Sequence, residues 1–188
     1  MRFFQYFGKQ AIKTANAACK LLLFLGCFTC VIMARTGYAE EESVEYKIKA
    51  GYLYNFTKFI TWQENASATF NLCLLGDDPF GSLIDPIEQR TASDRPIKLI
   101  RMAKSFSKDP HCHILFIGAS VSLPKPIPPN VLTVSEQQDF ALKGGVIGFI
   151  NKDGRIKLQI NLEAVKQSGL KFSAKLLEVA EIIAETKQ

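Results

Sequence analysis

Histidine is scarce in this chain of 188 residues, with two copies beside a single tryptophan. Two histidines cannot supply the three-histidine ligand set of many catalytic zinc sites, so any metal would have to lean on carboxylates. Local catalytic and phosphate-binding signatures are missing too: the chain has no G-x-G-x-x-G, no G-K-[ST], no G-x-S-x-G elbow and no H-E-x-x-H. Internal repeats, linkers and low-complexity stretches are likewise lacking. The residues therefore point to binding rather than catalysis, and no cofactor is expected.

Long apolar runs are also few. The main one, "LLLFLGCFTCVIMA" from Leu21 to Ala34, has 14 residues, short of the roughly 20 a membrane-spanning helix needs. It follows Arg2, Lys9, Lys13 and Lys20, contains no acid, and leads to the small pair Gly37 and Ala39. This is the layout of an export signal cut after Ala39. A retained anchor and a lipoprotein attached at Cys27 are the alternatives. The expected organisation is a signal peptide over residues 1–39, a single domain over residues 40–188, and a periplasmic location.

An excess of positive charge is lost with that segment. Residues 1–39 hold five of the 23 Lys and Arg and none of the 18 Asp and Glu, which leaves 18 against 18 and a formal charge of zero. The overall +5 thus gives no reason to expect nucleic acid. Three of the five cysteines, Cys19, Cys27 and Cys30, leave as well, and Cys73 and Cys112 remain.

The remaining chain alternates strand and helix patterns. Val44, Ile48, Leu53, Phe56, Phe59 and Ile60 recur at helical spacing, predicting an amphipathic helix that ends near Trp62. "TFNLCLLG" reads as a strand, followed by a helix over "DDPFGSLIDPIEQR" with Asp78 as its cap and Pro79 at its first position. "RPIKLIRMA", "HCHILFIG" and "VLTVS" are three more strands, with an extended "SLPKPIPPN" before the last and a short helix over "EQQDFALKGG" after it. "VIGFINKDGRIKLQINL" is a hairpin turning at "NKDG"; a short helix from Asn161 to Gly169 and a longer one over "SAKLLEVAEIIAE" complete the chain. The expected fold is α/β and three-layered, a mainly parallel sheet of Rossmann-like or flavodoxin-like type with an antiparallel hairpin and helices at the C-terminal end.

"HCH", residues 111–113, admits a metal site, an activated thiol or half of a disulfide. On a strand His111 and His113 share one face and Cys112 takes the other, so the three do not converge on one metal. A catalytic thiol needs an oriented base that nothing in the sequence specifies. In a doubly wound sheet the strands carrying Cys73 and Cys112 are first and third, neighbours in a 2-1-3 order, which favours a Cys73–Cys112 bridge in an exported protein. The histidines are then bystanders at a strand edge with ordinary hydrogen bonds. Asp77 and Asp78 are read as a helix cap, since acids repel a phosphate and no third Asp follows the strand ending at Gly118. Tyr52, Tyr54, Phe56, Phe59 and Trp62 are more aromatic surface than one core stripe buries, leaving a remainder for a partner.

In order, "IKAGYLYNFTKFITW", "LCLLGDDPFG", "CHILFIG", "LTVSE…FALKGGVIGF" and "IKLQINLEAVKQSGLKFSAKLLEVA" resemble the YfiR family of periplasmic proteins, from about Val44 to Ala180. The resemblance implies a repressor that binds the periplasmic sensory domain of an inner-membrane diguanylate cyclase, lowering cyclic di-GMP and biofilm formation. It implies a redox-responsive disulfide at Cys73 and Cys112, and a homodimer. From the ends of the matching motifs, Tyr54, Lys58, Lys171 and Phe172 are the candidate partner-binding residues. The alternative is a small-molecule-binding protein feeding a sensor kinase, with a cleft near Gly76–Phe80 and Gly118–Ser122. A thiol enzyme is a third reading.

Overall fold

The computed structural model describes residues 43–63, 67–103, 106 and 111–183. The chain divides into two compact units, Met1–Val44 and Glu45–Gln188; the fold below is that of the second. The expected signal segment, residues 1–39, lies outside the described residues.

Helix α1 covers residues 43–59 and runs directly into the short strand β1, Ile60–Thr61. Strand β2, Phe70–Leu75, is buried along its whole length, as are β5, Ile114–Ile117, and β6, Leu132–Ser135. Such uninterrupted apolar runs mark strands covered on both faces. With β3 (Thr91–Ala92), β4 (Arg95–Met102), β7 (Ile147–Lys152), β8 (Arg155–Asn161) and β10 (Glu181–Ile183) they make one eight-stranded sheet in the order β10-β8-β7-β6-β5-β2-β4-β3. The five strands β4-β2-β5-β6-β7 are parallel to one another, β3 is antiparallel to β4, β8 is antiparallel to β7, and β10 is parallel to β8. The fold is thus α/β with a mainly parallel sheet.

Alternation along β2 divides the core. Phe70, Leu72 and Leu74 face Leu53, Phe56 and Ile60 from α1 and its end, in the larger cluster. Cys73 and Leu75 face the other way, toward Cys112, Leu115, Ile117, Val131 and Phe140. The hairpin between β7 and β8 turns at Asp153 and Gly154, both with positive φ (55° and 70°), the backbone that a type I′ turn requires.

Three expected helices are corrected. Residues 78–90 form two 3-10 turns, Gly81–Leu83 and Asp85–Gln89. Asp78 is not the cap: the first turn begins after Phe80 with no side-chain cap bond, and Asp78 Oδ1 instead accepts from the N–H groups of Phe80 (2.8 Å) and Gly81 (3.1 Å) in an Asx turn ahead of it. Gly81 turns left-handed (φ 52°) and Pro86 lacks a donor, so no α-helix propagates. Residues 138–144 are turns, with positive φ at Asp139 and Gly144. After α2, Leu162–Ser168, and a short strand β9, Lys171–Phe172, helix α3 stops at Glu178 after starting at Ala174. The β-branched pair Ile182–Ile183 goes instead to strand β10 on the free edge of β8, where such side chains fit. A second sheet, β1 antiparallel to β9, pairs Ile60 with Phe172 and Thr61 with Lys171; sequence reasoning had no strand at either place.

Candidate functional site

Tyr54 and Lys58 lie one turn apart on α1, and the Lys58 ammonium sits 4.5 Å above the Tyr54 ring. The Arg90 guanidinium, from the end of the second 3-10 turn, lies 5.7 Å from the same ring. Tyr54 is half-buried against the core, while Lys58 and Arg90 are exposed. Lys171 and Phe172 lie on β9, where the main-chain N–H of Ser173 donates to Phe59 O at 2.8 Å and ties that strand to the end of α1. Lys171 is exposed; Phe172 is half-buried and packs on the core. The four candidates therefore fall into two pairs joined through the β1–β9 ribbon.

Most of the α1 aromatic surface is used internally. Tyr52 and Phe56 pack on Phe149, and the indole of Trp62 donates to His113 O at 2.9 Å. Among the described residues the exposed large aliphatics are Val44 and Ile48 on α1, Leu142 in the 138–144 turns, and Val179 and Ile182 near the sheet edge.

Cys73 and Cys112 are joined as a disulfide, Cα to Cα 5.9 Å, across the neighbouring strands β2 and β5. Both are buried, so neither thiol is available as a nucleophile. His111 and His113 meet edge to face at 5.2 Å on the opposite side of the strand. His113 is fully buried and stacks on Phe70 at 4.5 Å. Its Nδ1 accepts from the N–H of Asn71 at 3.0 Å, and Arg95 Nη1 stands 3.3 Å from Nε2. Loss of solvent, then the Arg95 charge, then His111, lower its pKa to about 4, so the ring is neutral at physiological pH. The expectation of two ordinary edge histidines needs correction: His113 is a core residue, and among the described residues His111 Nε2 has no hydrogen-bond partner.

At the carboxyl ends of β2 and β5, where α/β sheets commonly take ligands, the chain closes on itself at Gly118, while a cavity of about 490 Å³ opens next to it between Leu75, Phe106, Val121, Ser122 and the Pro124–Pro129 segment. The Asp77 backbone lies so close to Gly118 that a Cβ there would collide with it. Gly118 N–H donates to Leu75 O at 2.8 Å, Ser120 N–H to Asp77 Oδ2 at 3.1 Å, and Gln137 Nε2 to Gly118 O at 2.6 Å. Beside it, a cavity of about 360 Å³ opens at the ends of β6 and β7, between Tyr46, Lys49, Glu136, Phe149 and Asn151. Lys49, nearly fully buried, pairs there with both Glu45 and Glu136, and Tyr46 donates to Glu136 Oε1 at 3.1 Å. Sequence reasoning missed this ion cluster, because Lys49 and Glu136 are far apart in the chain and each looks like a surface charge.

Residues 46–181 match the YfiR/HmsC-like family along almost the whole described fold. The chain belongs to that family. No curated protein matches it significantly. YfiR/HmsC-like proteins are periplasmic regulators in cyclic di-GMP signalling, a regulatory rather than an enzymatic role. Among the described residues of this YfiR/HmsC-like chain no helix is long and apolar enough to cross a membrane.

Proposed function

We propose that this chain is a periplasmic repressor that binds the sensory domain of an inner-membrane diguanylate cyclase and holds the enzyme inactive, lowering cyclic di-GMP and biofilm formation. The observation that carries this reading is membership of the YfiR/HmsC-like family over residues 46–181. Residues 1–39 act as the export signal and residues 40–188 as one domain that pairs as a homodimer. The finer fold assignment is flavodoxin-like, supported by the order β4-β2-β5-β6-β7 of the five parallel strands, 2-1-3-4-5 in chain order.

Repression is a population shift: a regulator that binds one state of the sensory domain more tightly moves the equilibrium by that difference in affinity. Tyr54 and Lys58 from α1, and Lys171 and Phe172 from β9, contribute to the partner contact. The buried Cys73–Cys112 bridge makes repression redox-responsive, because reduction weakens the sheet at its centre. Deleting the gene tests the reading: cyclic di-GMP rises and the wild-type chain restores it. An unchanged nucleotide level in the deletion strain refutes it.

A second reading, small-molecule binding on behalf of a sensor kinase, is favoured by the cavity beside Lys49. A metabolite that raises the unfolding temperature of the wild-type protein but not of Lys49→Met would support it.

A further inference from the structure

Gly51 sits inside α1, where glycine weakens a helix relative to alanine. Nothing in the fold requires it: a Cβ at Gly51 would meet no atom within 4 Å. This contrasts with Gly118, where the Asp77 backbone leaves no room. A mid-helix glycine on an open surface makes physical sense where something outside the fold comes close to the backbone.

The surroundings of Gly51 indicate what that is. It lines a shallow groove of about 170 Å³ between α1 and the Asp85–Gln89 turn, floored by Ala50, Ile84 and Ile87. That volume is below the range of small-molecule pockets but admits side chains of a docked segment. Lys47 and Arg90 line the groove, no Asp or Glu does, and Lys58 stands over the Tyr54 ring at its end. Among the described residues none of these three cations is paired with a carboxylate, although α1 carries such a pair elsewhere, at Lys49 and Glu45. Ile48, 46% exposed, extends the apolar surface of the same helix.

We infer that this groove docks an acidic helix of the partner protein, with a small residue against Gly51 and carboxylates i and i+4 facing Lys47 and Arg90. The inference rests on the repressor reading and names the surface and partner chemistry for it. Close approach over glycine brings two helix backbones together, and three like charges attract and orient an acidic segment in a salt-dependent way.

The test uses the full exported chain in cells lacking the native copy, with cyclic di-GMP as the readout and thermal unfolding of each purified variant as the control for folding. Gly51→Gln, and separately the double change Lys47→Glu with Arg90→Glu, should raise cyclic di-GMP to the level of cells without the chain, while unfolding midpoints stay at or above the wild-type value, since Gln favours a helix over Gly. Lys143→Glu, on an exposed turn elsewhere, should repress normally. If either folded groove variant represses as well as wild type, the groove inference is wrong and the repressor reading stands. If wild type itself does not repress, both fall together.

Discussion

His113 Nδ1 accepts a hydrogen bond from the backbone N–H of Asn71, 3.0 Å away, inside the core and one residue from the bridged Cys112. That bond needs an unprotonated Nδ1, so protonating Nδ1 would break it.

The pH consequence follows from the sign of the shift. His113 has a folded pKa of about 4, below the unfolded value of 6.5, so the unfolded chain binds this proton first. Its contribution to stability is full above about pH 6.5 and is lost as the pH falls toward 4, up to about 3 kcal/mol. Urea titrations at pH 7 and pH 4.5 should show a smaller loss for His113→Gln than for wild type. Equal losses would mean that His113 does not titrate this way.

Breaking the disulfide should destabilise without abolishing the fold. The bridge closes a sequence separation of 39, worth about 4 kcal/mol in the chain-entropy model. Cys73→Ser together with Cys112→Ser should lower the unfolding free energy extrapolated from urea titrations by that order. In cells the same change should raise cyclic di-GMP; an exported, stable, fully repressing double variant would remove the redox role.

Gly118→Ala should cost about 2 kcal/mol, because the new Cβ runs into the Asp77 main chain, which cannot yield as a flexible side chain would. Gly51→Ala should instead stabilise by about 0.5–1 kcal/mol. Denaturant midpoints of the two variants should therefore move in opposite directions.

Lys49→Met should be worse than Glu136→Gln. Removing the lysine leaves Glu45 and Glu136, both part-exposed, close together without their shared cation, at about 1–3 kcal/mol. Glu136→Gln keeps the Lys49–Glu45 pair and a partner for the Tyr46 hydroxyl. Thermal unfolding in low and high salt would rank the two, and an equal cost would show that the cluster is not acting as a unit.

Runs such as "NLCLL" and "ILFI" were legible as buried parallel strands because they are short and each is closed by a glycine, which favours a covered strand over a helix, and the parallel core of the sheet followed from them. The "NKDG" turn was legible because Asp153 and Gly154 tolerate positive φ. Ile182 and Ile183 were misread, since a short apolar stretch suits a helix face and a sheet edge equally, and only the free edge of β8 decides. Residues 78–90 carried an Asx turn at Asp78 that resembles a helix cap in sequence, but not the uninterrupted donors a helix needs. Of the candidate surface, Tyr54 and Lys58 came from motif ends. Arg90 and Gly51 were not found, since their meaning depends on which loop packs beside α1.

The central claim is direct association with a membrane diguanylate cyclase. Calorimetric titration of the purified chain, residues 40–188 with the disulfide intact, into the isolated periplasmic domain of a cyclase whose activity rises in the deletion strain tests it most directly. Saturable binding that weakens with dithiothreitol and with the Lys47→Glu, Arg90→Glu change is the predicted result; no heat of binding to a folded domain, in the oxidised state and at low salt, would contradict the account.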